Sequence, residues 1–213
     1  MHHHARLTGP LFALLLTIGS ASGFAAELPA TVRGIALSGT KTRSVAVTVR
    51  DEKGQPRVEA EPEVAIIRHS RWSPSDPVRD GAREFEIYLT TATLIRDHHL
   101  AGIVGVGNKL GRLTPDAEQA LKRSVLMGIP VAKVASGGFV EVDTDNFLIE
   151  AGSLSEADAS RLLSQCILRF GTLPPCSDPA KPTANELAAI HEQLVRFQTA
   201  FSAAEKATQV ASR

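Results

Sequence analysis

Apolar positions along this chain switch between an alternating and a helical period, and each switch marks an element. Glu63 to Arg68 (EVAIIR) is apolar in its middle and polar at both ends, which predicts a strand. Ile103 to Val106 is a short apolar run suited to a buried strand. Gly105, Gly107 and Gly111 loosen the chain after it, with Asn108 among them. The spacing then becomes helical at Ala117, Ala120, Leu121, Val125 and Leu126. Thr114 is a good N-cap, Pro115 suits the first helical position, and Asp116 and Glu118 answer the positive end of the dipole. Gly128 is a natural stop, and Ile129 to Val134 reads as a second buried strand with Pro130 at its start. Strand, helix and strand in this order predict a parallel pair with a right-handed crossover.

Phe147 to Ile149 predicts a further short strand. Ser155 then caps a helix, with Asp158 in the capping-box position, and Gly171 ends it. Ala159, Leu162, Leu163, Cys166, Ile167 and Phe170 form its apolar face. Residues 61–175 therefore predict a small three-layer α/β domain, a parallel sheet flanked by helices. Between its first two strands, Glu84 to Leu89 fits either a strand or a helix entry, and Thr91 to His99 predicts a helix.

Both flanks carry their own patterns. Val32 to Leu37 and Ser44 to Val49 predict strands around SGTKTR, so residues 26–60 predict a β-hairpin appendage. At the other end Thr183 and Glu186 form a capping box. Leu187, Ile190, Leu194, Phe197 and Phe201 follow at spacings of 3, 4, 3 and 4, an amphipathic helix over residues 183–207 with a coiled-coil-like seam. Three heptads are short for an independent coiled coil. Docking on the domain is expected, with a dimer contact as the alternative, and fraying after Ala204.

The first residues have a different character. A weakly positive start, the apolar run LFALLLTI from Leu11 to Ile18, and a series of small residues make a signal-peptide pattern. Cleavage is expected after Ala25, giving a signal peptide of residues 1–25 and a periplasmic or secreted protein. No other segment predicts a membrane span. The formal net charge of zero supplies no basic field for nucleic acid. A hydrophobic content of 43% is that of an ordinary globular chain.

Export changes the reading of the two cysteines, Cys166 and Cys176. In an oxidising compartment they can pair, a disulfide that would contribute roughly 2–3 kcal/mol and clip TLPPC onto the preceding helix. The alternative is two unpaired thiols, Cys166 buried and Cys176 near the surface. Neither has a histidine nearby in sequence, so neither predicts a nucleophile.

Other candidate chemistry is thin. His69, Arg71 and Trp72 lie in a loop at a strand's carboxyl end, where α/β sheets place ligands, although a solvated loop has the same composition. His98 and His99 would diverge by about 100° on a helix and make a poor metal pair. Glu141, Asp143 and Asp145 alternate along an acidic segment, too sparse for a calcium loop. Ser38 and Lys41 bring a hydroxyl and an amine together, as a hairpin tip also does. No metal site and no cofactor are expected.

The order of the pieces resembles the C-terminal domain of bacterial-type L-asparaginases and glutaminases over about residues 60–172. The resemblance rests on an EVAII-like strand, on GxGN at Gly105-Val106-Gly107-Asn108, on GIPV at Gly128-Ile129-Pro130-Val131, and on Ala151-Gly152-Ser153-Leu154 before the helix. In that family the domain mainly builds the oligomer and lends residues to a neighbouring subunit's active site. The resemblance implies Asn108 as one such residue and Glu141 as another. Gly107 and Lys109 join them as candidate ligand-binding residues of the same loop, but Lys109-Leu110 departs from the small or amide residue that follows GxGN in the family. It also implies a separate catalytic domain with a TGGT loop and a threonine-aspartate-lysine set, and neither motif occurs here. The expectation is an exported module, non-catalytic by itself, that binds a partner protein or a small polar ligand such as an amino acid. The alternatives are an asparaginase-type amidohydrolase completed by a separate catalytic subunit, and a homo-oligomeric scaffold assembled through the last helix. Nucleic acid is not an expected partner, nor is a membrane after signal cleavage.

Overall fold

The computed structural model describes residues 30–38, 41–48, 50–53, 62–68, 86–87, 90–91, 93, 100–135 and 147–211. The leader pattern, His69, Arg71, Trp72, His98, His99 and the acidic segment with Glu141 lie outside these residues. Two sheets organise the rest. β1 (Thr31–Ser38) and β2 (Lys41–Thr48) pair antiparallel, Thr31 opposite Thr48 and Ser38 opposite Lys41, as the hairpin reading requires.

The main sheet has four parallel strands in the order β3 (Glu63–Arg68), β4 (Leu100–Gly107), β5 (Val131–Ala135) and β6 (Ile149–Glu150). Register runs from Ile66–Val104 through Val104–Ala132 to Ala132–Ile149. β4 is paired on both sides, and all eight of its residues are buried. That explains its unbroken apolar run, since a strand covered on both faces has no reason to alternate. Glu86, Ile87, Thr90, Thr91 and Thr93 are helical between β3 and β4, with Ile87 and Thr91 buried, so the described residues there favour helix over strand.

Two glycines of β4 reveal the layers. A Cβ at Gly105 would stand 2.8 Å from Leu121 Cδ1 of α1 (Pro115–Leu126). A Cβ at Gly102 would stand 2.9 Å from Ile167 Cδ1 of α2 (Glu156–Phe170). Positions 102 and 105 face opposite ways along a strand, so α1 covers one face and α2 the other. This is the three-layer α/β arrangement that the pattern predicts. Both helices start as read: Ala117 N–H donates to Thr114 Oγ1 at 3.3 Å, and Asp158 N–H donates to Ser155 Oγ at 3.1 Å.

The C-terminal helix α3 (Ala184–Ala211) docks on α2 and β6. Ile190, Leu194, Phe197 and Phe201 of the seam are each no more than 5% exposed. Leu187 is half-buried. The phenylalanine rings of Phe170 and Phe197 meet edge to face at 5.6 Å. The helix does not fray after Ala204 but runs to Ala211. Glu205 accepts from Ser153 N–H at 3.0 Å, and Gln209 and Thr208 bond back one turn. A tertiary contact thus carries the helix past the end of its apolar seam.

The disulfide expectation is corrected. Cys166 and Cys176 are both buried free thiols. After α2 the chain does not turn back along that helix. Leu173 N–H donates to Gly128 O at 3.0 Å and Cys176 N–H to Leu126 O at 2.8 Å. TLPPC is therefore fastened to the end of α1, on the chain segment that leads into β5.

Candidate functional site

In a parallel α/β layer every strand delivers its carboxyl end to the same rim, and helix N-termini gather there. Here that rim holds Arg68 at the end of β3, Gly107 at the end of β4 with Asn108 after it, Ala135 at the end of β5, and Glu150 at the end of β6. The strand order follows the sequence and never reverses. Among the described residues the sheet therefore has no topological switch point of the kind at which doubly wound folds open a ligand crevice.

The turn after β4 is tightly built. A Cβ on Gly107 would fall 2.5 Å from the carbonyl carbon and oxygen of Gly111 and 2.8 Å from Arg112 O. All three are backbone atoms, so the chain doubles back over Gly107 at a distance no side chain permits. Asn108 holds this shape from inside. Its Oδ1 accepts from Leu110 N–H at 2.9 Å and from Arg112 N–H at 3.0 Å. Its own N–H donates to Arg112 O at 3.0 Å, and Gly111 N–H donates to Asn108 O at 2.9 Å.

This bonding fixes the chemistry of the loop. Two backbone donors identify the inward atom of the Asn108 amide as its oxygen, so the NH2 group is the end left for a ligand. Lys109 beside it is exposed, and Leu110 at the tip is 48% exposed. The turn thus offers donors and one positive charge. The backbone N–H groups of Leu110, Gly111 and Arg112 are spent within the loop.

The helix N-termini on the rim are answered from within the chain. Asp116 and Glu118 lie in the first turn of α1, and Glu156 and Asp158 in that of α2. Glu156 also pairs with Arg68 at 2.7 Å, and Asp158 pairs with Arg161. The fourth strand's turn is held from elsewhere. Gln198 of α3 accepts from Glu150 N–H at 2.8 Å and donates to Glu150 O at 3.2 Å. Glu205 takes Ser153 N–H and occupies the space where a Cβ on Gly152 would sit.

Of the sequence candidates, the structure keeps Gly107, Asn108 and Lys109 together in one turn. Glu141 lies outside the described residues. Sequence reasoning missed the Arg68–Glu156 pair and the contacts of Gln198 and Glu205, which join residues with no periodic relation. It also passed over Lys133, a buried lysine (7% exposed) whose Cα neighbours in the sheet are Gly105 and Glu150.

The thiols are poorly suited to nucleophilic chemistry. Burial pushes Cys166 up to about 12, against a smaller opposing pull from Arg169. Burial and the Glu186 carboxylate push Cys176 upward as well. Nucleophilic cysteines work as thiolates, and both environments disfavour that form at neutral pH. Among the described residues no group of three or more His, Cys, Asp or Glu side chains could hold a metal ion. No helix among them is long and apolar enough to cross a membrane.

Comparison with known proteins finds no matching family model and no matching curated protein. Among solved structures the chain is similar to a probable cytoplasmic L-asparaginase from Campylobacter jejuni, with 20% identity and a TM-score of 0.41. The match covers 75% of this chain and 45% of that one, so the chain spans less than half of that protein's length.

Proposed function

We propose that this protein is an exported, asparaginase C-terminal-like binding module that is not catalytic by itself. Its ligand is a small carboxylate of the amino-acid kind, taken at the Gly107–Lys109 turn. The observation that carries this reading is the orientation of Asn108. Its oxygen is locked against Leu110 and Arg112, which turns its NH2 away from those bonds on a turn that also carries the exposed Lys109. Donors and a positive charge suit a carboxylate and give an ammonium or an amide N–H nothing to bind. The LFALLLTI run supports export.

A second reading follows from Leu110. A large apolar side chain, 48% exposed at the tip of the same turn, suits a protein contact. On that reading the turn forms one wall of a site completed by a separate catalytic subunit.

Calorimetric titration of the chain freed of residues 1–25 with L-aspartate and with L-asparagine tests the first reading. Binding should occur and should weaken by about ten- to a hundredfold in Lys109→Ala, since one charge-assisted hydrogen bond is worth roughly 1.5–3 kcal/mol. Lys109 is exposed, so this variant keeps the turn. Undiminished binding in Lys109→Ala would move the ligand away from this turn. No heat with either ligand, from protein with an intact melting transition, would favour the reading built on Leu110.

A further inference from the structure

We draw no further inference here: the strongest candidate, the outer edge of β3 with its half-buried Val64, Ala65, Ile66 and Ile67, is an apolar strand edge, and nothing in the structure shows what covers it.

Discussion

The turns after β4 and after β6 occupy equivalent places on the same rim, yet they are held in opposite ways. The first is self-sufficient. Asn108 bonds residues two and four positions away, and Gly107 accepts the returning backbone. The second depends on a helix far along the chain. Gln198 reaches back 48 residues to Glu150, and Glu205 reaches back 52 to Ser153. A turn that satisfies its own polar groups can present a side chain to a ligand without outside support. A turn strapped from a distance is only as stable as the strap.

The largest expected effect falls on the strap. Phe197→Ala removes a fully buried ring from α3 and should cost about 3–5 kcal/mol. If the two turns are independent, hydrogen exchange should speed up at the Glu150 and Ser153 amides. The Leu110 and Arg112 amides should then change only by as much as global stability falls. Matched acceleration in both turns beyond that amount would erase the distinction.

Gly107→Ala is the corresponding break in the self-held turn. Its new Cβ would meet backbone atoms that cannot give way as a side chain can. The cost should be about 3 kcal/mol, at the upper end for overpacking, and should lower the melting temperature by about 6–12 °C. An unchanged melting temperature would mean the chain does not return over Gly107.

Single hydrogen-bonding residues sharpen the contrast. Asn108→Ala and Gln198→Ala should each cost about 1–2 kcal/mol, read from urea denaturation. Each should raise exchange mainly at its own pair of backbone groups. Asn108→Asp keeps an acceptor for Leu110 and Arg112, so it should retain the turn while replacing the outward NH2 with a negative atom. Carboxylate binding should then be lost without loss of stability.

The smallest effect concerns the joint before the strap. Glu186 accepts from the backbone N–H and hydroxyl of both Ser177 and Thr183, at 2.7 to 2.8 Å. These bonds pull its carboxyl from 4.5 to about 2. Between those values the unfolded chain binds the proton and the folded chain does not. The contribution is therefore complete above about pH 4.5 and is lost as pH falls toward 2. Glu186→Gln should flatten that part of the acid-stability profile, checked by thermal melts at stepped pH. A profile as steep as wild type would assign the acid dependence to other groups.

The same contrast explains what the sequence disclosed. Thr114, Ser155 and Thr183 cap their helices through contacts three residues long, and the Gly107–Asn108 turn closes within five. Periodicity exposed the buried faces of α1, α2 and α3 because each is a local repeat. The disulfide expectation failed for the complementary reason. Chain proximity suggested Cys166 as the partner, but distant carbonyls of Leu126 and Gly128 decide where TLPPC runs. The extent of α3 is not legible in its own periodicity because Glu205 is anchored to Ser153, in a turn 52 residues earlier. Lys133 hid inside an apolar run, where one long side chain does not break the pattern of a buried strand.

Ammonia release from L-asparagine and L-glutamine, measured on folded protein lacking residues 1–25, addresses the proposed function most directly. A binding module should release none above the no-protein rate, while L-aspartate still binds in a parallel titration. Sustained release that disappears in Asn108→Asp would contradict the account and place a complete catalytic site on this chain.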